Sequence, residues 1–206
     1  GKPGDATQVN TVKTVLDEYG IIAANNTSIT GKLAALSKAP TTPGSNPTYS
    51  DLTTQIANAN SLKSDIALLQ SQINAENSGY QATIAAKTVE IQRLSNKPSR
   101  SSADLTKIAV DSNQVAILLG KIAENNDDLA TKASELKGVL EQIAADQTAL
   151  KSAWADSGKS ADTTLVTEIS TLVSNNGTPI SRIGDASATL ASAYDTKFDP
   201  SNVVSY

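Results

Sequence analysis

Residues 105–154 read LTKIAVDSNQVAILLGKIAENNDDLATKASELKGVLEQIAADQTALKSAW, and along them Leu105, Ile108, Ser112, Val115, Leu119, Ile122, Asn126, Leu129, Ala133, Leu136, Leu140, Ile143, Gln147, Leu150 and Trp154 alternate steps of three and four. Steps of three and four return to one stripe of an α-helix, so this is a sustained heptad repeat and a single long helix built to lie against other helices. With Leu105 at a and Ile108 at d, the e positions are Ala109, Ala116, Ala123, Ala130, Lys137, Ala144 and Lys151. Alanines beside the a/d seam widen the apolar stripe into a face that accepts more than one neighbour, which predicts a bundle and not a lone hairpin. Ser112, Asn126 and Gln147 fall on a positions, where a polar residue fixes register at a cost in stability.

Working outward, Asn96-Lys97-Pro98-Ser99-Arg100 interrupts the helical pattern, and Ser101 with Asp104 three residues later forms a capping box that starts the long helix. The turn is short, so the preceding helix must return as an antiparallel hairpin partner. That helix is expected over about 50–95, with Leu52, Ile56, Ala59, Leu62, Ile66, Leu69, Ile73, Tyr80, Ile84, Ile91 and Leu94 on its seam, started by a Thr48/Asp51 capping box. The consecutive four-residue steps through Glu76, Tyr80 and Ile84 predict a local change of supercoil. Pro40, Pro43, Gly44, Asn46 and Pro47 form the connection to a first helix over about 6–37, whose seam of Val9, Val12, Leu16, Tyr19, Ile22, Ile29, Leu33 and Leu36 slips near Ile22 and so packs loosely. Gly158 ends the long helix near 156. A fourth element is expected as two helices end to end, 162–176 and 179–196, split where Asn176-Gly177 stops one and Thr178-Pro179 starts the next.

At about 1.5 Å per residue the outer helices reach roughly 50 Å, the second roughly 65 Å and the third roughly 80 Å, so the tip of the central hairpin projects about 15 to 30 Å beyond its neighbours. The expected fold is therefore all-α: one elongated antiparallel four-helix bundle or coiled coil over 1–206, with a projecting hairpin of helices two and three, a flexible leader over 1–5 and a tail over 199–206. Gly1 to Ala6 also fits two Gly-X-Y triplets, too few for a collagen triple helix.

Composition narrows the chemistry. The 206 residues include no His, Cys or Met, which removes the usual tetrahedral zinc sites, thiol nucleophiles, His-dependent triads and the Glu-x-x-His pair of di-iron bundles. The densest acidic group, Glu124, Asp127 and Asp128, occupies solvated positions, so neither a metal nor acid/base catalysis is expected, and no cofactor. The stretch Ala153-Trp154-Ala155-Asp156-Ser157-Gly158-Lys159-Ser160 ends like a phosphate-binding loop but lacks the opening Gly and the preceding strand. Gly158 there reads as a helix stop, and Trp154 as a core plug near the Pro-rich connection. A net charge of −4 and the absence of basic clusters with interleaved aromatics argue against a nucleic-acid partner, and no apolar run is long enough to span a bilayer. Asn25, Asn26 and Asn176 satisfy the N-glycosylation pattern, which has meaning only in a eukaryotic source.

Three features point to contact with protein. Only 18% of residues are charged, so one copy approaches another with little repulsion. Sulfur is absent and the sequence opens without Met, which suits a processed chain in an exposed, extracellular setting, although drift in an Ala/Ser/Thr-rich genome gives the same composition. Val110 and Ile117 stand at f, opposite the seam, with Leu118 at g, near the projecting tip where nothing is expected to cover them unless an outer helix climbs higher. The expectation is a non-enzymatic structural protein, secreted or on a cell or virion surface, that self-assembles into a filament, surface layer or virion appendage. Its partner would be itself or another protein. The alternatives are a monomeric adhesin or receptor-binding stalk presenting the positive tip at Lys97 and Arg100, and a bundle that carries an apolar ligand in a core underfilled by Ala and Thr.

Overall fold

A computed structural model describes residues 3–37, 47–155 and 163–192. Four helices account for nearly all of them: α1 (Pro3–Ser37), α2 (Pro47–Ser95), α3 (Ser102–Ala155) and α4 (Thr163–Ser192). α1 and α2 begin earlier than expected, because a proline at the first helical position gives up only an N–H that has no intrahelical acceptor anyway. Residues 3–5 are thus helical and not part of a leader, and α2 is already helical at Pro47, ahead of Thr48; the side chains of the expected Thr48/Asp51 box lie outside the described set. The expected Pro-rich connection and the tail over 199–206 fall outside the described residues.

Around the bundle the order is α2, α3, α4, α1, each antiparallel to the next, with α1 and α2 only lightly in contact across the remaining side. Polar pairs mark the registers. Glu18 pairs with Arg182 and Lys32 with Glu168 between α1 and α4; Ser187 Oγ donates to the Ala130 carbonyl at 2.8 Å between α3 and α4; Asn125 Nδ2 donates to Asn77 Oδ1 at 2.9 Å between α2 and α3.

The apolar core divides in two. The larger cluster draws on all four helices, reaching Ile73 on α2 and starting at Leu129 on α3. The smaller comprises Ile84, Ile91, Val115, Leu119 and Ile122, with Tyr80, Ile108 and Leu118 against it, all from α2 and α3. Between them lie the buried polar side chains Gln8, Asn77 and Asn126, at the level where α1 begins and α4 ends. Among the described residues, only the α2–α3 pair continues beyond Asn77, for about 27 Å at the helical rise, so the projecting hairpin has the expected height.

Several seam assignments change. On α1 the buried residues Gln8, Val12, Val15, Tyr19, Ile22, Asn26, Ile29 and Leu33 follow a regular alternation of four and three with no slip at Ile22, and Glu18 is buried beside them, paired with Arg182. Two polar side chains hold seam positions, and Val9, at 43% exposure, lies off the seam. α1 is tightly packed against α4, not loose. On α2 it is Asn77 and not Glu76 that turns inward, and Ile73, Asn77, Tyr80 and Ile84 are spaced four, three and four, the ordinary heptad alternation, so the two consecutive four-residue steps through Glu76, Tyr80 and Ile84 that predicted a change of supercoil are absent. Leu105, expected to open the α3 seam, is 53% exposed; in the first turn of a two-helix tip it has too few neighbours to cover it.

α4 is one continuous helix with Pro179 inside it, not two helices meeting at Asn176-Gly177. Pro179 removes one backbone hydrogen bond, yet tertiary packing holds the turn. Asn176 is 1% exposed: its Nδ2 donates to Asn26 Oδ1 at 3.2 Å and its Oδ1 accepts from Asn25 Nδ2 at 2.7 Å. Gln147 Nε2 donates to the same Asn26 oxygen at 2.8 Å, completing a buried amide layer from α1, α3 and α4. Of the asparagines that match the glycosylation pattern, Asn26 and Asn176 are therefore interior groups and Asn25 is half-buried, and a glycan on Asn26 or Asn176 is incompatible with this packing.

The α3 start is built as expected. Asp104 N donates to Ser101 Oγ at 3.1 Å while Ser101 N donates back to Asp104 Oδ2 at 2.9 Å, and Lys97 Nζ adds a third donor at 2.6 Å on Oδ1. The Lys97 ammonium, then the Ser101 backbone and hydroxyl, hold the Asp104 carboxyl down to about 2. A carboxyl that binds its proton more weakly in the folded state contributes stability above its unfolded value near 4, and that contribution is lost as pH falls toward 2. Acidification from pH 5 to 2 should therefore lower the protection of amides in the first turns of α3, measured against the intrinsic exchange rate at each pH, and Asp104→Asn should be frayed at both pH values. An unchanged protection factor in the parent chain at pH 2 would refute this.

Candidate interaction surface on the projecting hairpin

Val110 and Ile117 stand where the heptad places them, on the side of α3 facing away from α2, at 52% and 53% exposure. The described residues of α1 and α4 do not climb to cover them. Leu118 differs: it is partly buried against the small hairpin core and belongs to packing, not to the surface. Lys107 and Lys121 are exposed one turn before Val110 and one turn after Ile117; Lys107 Nζ reaches Asp111 Oδ2 at 2.6 Å, and Lys121 Nζ sits 5.6 Å from the Tyr80 ring centroid.

At the tip, Lys97 is tied to Asp104, and of the two expected tip cations Arg100 is the one exposed with no ion pair among the described residues. The tip is thus a stapled turn with one outward guanidinium.

The hairpin also holds a charge that sequence reading passed over. Asp111, at g, is 1% exposed and flanked by Lys87 from α2 at 2.9 Å and Lys107 at 2.6 Å. Burial pushes its carboxyl up, but the hydrogen bonds from Lys107 and Lys87 outweigh burial and leave it below the ordinary value. The signal was available: Lys107 lies four residues before Asp111 on one helix face.

Glu124, Asp127 and Asp128 are exposed, and among the described residues no group of three metal-ligating side chains forms. The side chain of Trp154 and the loop residues 157–160 lie outside the described set. Between α1 and α2, where the bundle closes least, a cleft of about 300 Å³ is lined by Tyr19, Ala23, Thr30, Ile56 and Ala59, with the Tyr19 hydroxyl donating to Asn60 Oδ1 at 2.6 Å along its wall.

The fold and this surface define the class: an elongated helical bundle with a projecting two-helix arm. No helix among the described residues is long and apolar enough to cross a membrane. No protein-family model, curated protein or solved structure matches the chain.

Proposed function

We propose that this chain is a non-enzymatic structural protein that works by protein–protein contact, self-assembling at a secreted or surface location into a filament, surface layer or virion appendage. The observation that carries it is the pair Val110 and Ile117, half exposed on an arm that, among the described residues, α1 and α4 leave uncovered. Large aliphatic side chains on an outer helix face cost solubility unless contact with another molecule buries them. The sparse charge of the surface supports the same reading, since it lets like copies approach.

Mass in solution together with negative-stain microscopy tests it. The full chain should exceed its 21.3 kDa monomer mass in a concentration-dependent way and form regular assemblies. Val110→Glu combined with Ile117→Glu should return it to a monomer with unchanged helicity. A parent chain that stays monomeric at high concentration refutes self-assembly and favours the adhesin reading. The α1–α2 cleft favours a second reading, carriage of a small apolar ligand; native mass spectrometry finding a copurified lipid, lost in Ala59→Trp, would support it.

A further inference from the structure

The outward positions of α3 are divided by charge along the length of the helix. At heptad positions b, c and f, residues 103–121 carry Lys107 and Lys121 around Val110 and Ile117 and no acid. From 124 to 152 the same positions carry Glu124, Asp127, Asp128, Glu135 and Glu141 and no Lys or Arg. These charged side chains are all exposed. Lys132 and Lys137, from flanking positions, pair with Glu135 and Glu141, whereas Glu124, Asp127 and Asp128 pair with no cation among the described residues.

We propose that this face is a self-complementary dimer surface: α3 packs antiparallel on α3 of a second copy, about a two-fold axis passing near Glu124. The proposal rests on the self-association put forward above and supplies its geometry. Antiparallel pairing sets Lys121 beside Asp127 and Asp128 of the other copy and Lys107 beside Glu141, each contact occurring twice by symmetry. Parallel pairing would oppose acid to acid and lysine to lysine.

The same register treats the apolar pair well. Ile117 falls opposite Thr131, and Val110 opposite Gly138, where a Cβ would meet nothing within 4 Å. Gly138 opens onto a shallow groove of about 560 Å³ between α2 and α3, floored in part by Leu62 and Val139, with Asp65 and Glu135 on its walls. Val110 is a knob of suitable size for that notch. The shared strip is about 50 Å long at the helical rise and about 10 Å wide, so each copy contributes roughly 500 Å², the lower limit for a specific interface. An interface of that size should be reversible and weakened by salt.

The natural chain has no Cys, so single cysteines report the geometry cleanly. Under mild oxidation full-length Glu124→Cys should form a disulfide-linked dimer, because the axis brings the two copies of that position together, while Ser134→Cys, which faces Gln114 of the other copy, should not. In sedimentation at low salt, Lys107→Glu with Lys121→Glu should weaken the dimer by about tenfold or more, and adding Asp127→Lys and Glu141→Lys to the same chain should restore it. Circular dichroism checks that each variant keeps its helicity. Equal cross-linking at 134 and 124, or a charge-reversed chain that dimerises like the parent, overturns this pairing and leaves self-assembly by another face standing. A parent chain that is monomeric throughout overturns both.

Discussion

Leu136→Ala should lower the free energy of unfolding by about 2–5 kcal/mol, with the value in the upper half of that range. Leu136 is fully buried in the cluster shared by four helices, and the registers set by the polar pairs place it level with Val15, Ile66 and Ile183, each at most 1% exposed. Three of the side chains around the void are then β-branched, with stiff χ1 torsions, so they relax poorly into the space left by the isobutyl group. The cost is transfer free energy plus an unfilled cavity. Urea unfolding followed at 222 nm should show a lower midpoint with an unchanged slope, which locates the loss in the folded state. Leu68→Ala provides the contrast: Leu68 is 61% exposed, so its removal should change stability by no more than about 0.5 kcal/mol. A loss under about 1 kcal/mol for Leu136→Ala would mean that the four helices do not share one close-packed core.

What could be read from the sequence, and what could not, divides along a physical line. The α3 helix, its hairpin partner and the exposure of Val110 and Ile117 were legible because apolar side chains mark the seam and their absence marks the outside. α1 was misread because Gln8 and Asn26 occupy seam positions: a pattern search that counts only apolar residues sees a slip where the geometry is regular. The continuity of α4 was hidden for a related reason. Asn176-Gly177 and Pro179 are local stop and start signals, and what overrides them is the buried amide layer with Asn26 and Gln147, more than a hundred residues away along the chain from the former and about thirty from the latter. Neither partner is local, so no window on α4 contains the information. Asp111 was missed because a charge at g is normally solvated, and its burial depends on Lys87 arriving from α2. On the candidate surface, Leu118 turned inward because only one helix is available to form the hairpin seam, so g positions are drawn into it. The acidic cluster at Glu124, Asp127 and Asp128 was read as a solvated face, and its place opposite the basic half of the same helix emerges only when exposure along all of α3 is known.

Ile91→Asp should melt the arm and leave the four-helix body folded. Ile91 is 0% exposed in a core of five buried side chains supplied by two helices, so a carboxylate there has no partner and loses its water. Burying it unpaired costs several kcal/mol, and raising its pKa to avoid the charge only shifts part of that cost to the proton. An isolated two-helix hairpin has little stability to set against such a loss, since helices of this length are marginal without tertiary contacts. The body does not share the loss, because its core contains no residue between Ile73 on α2 and Leu129 on α3, and the polar layer of Gln8, Asn77 and Asn126 separates the two. Helicity at 222 nm should therefore fall by about a fifth, the share of helical residues in the arm, and not collapse. Hydrogen exchange read by peptide should show lost protection over 80–122 and retained protection in α1 and α4. Equal loss in α1 and α4 would show instead that arm and body unfold as one unit. Selective melting also removes the helical frame that holds Lys107, Val110, Ile117 and Lys121 in one line, so the same variant should lose self-association while its body remains intact. Exposed aliphatic residues alone are then insufficient; the contact needs them presented on a folded arm.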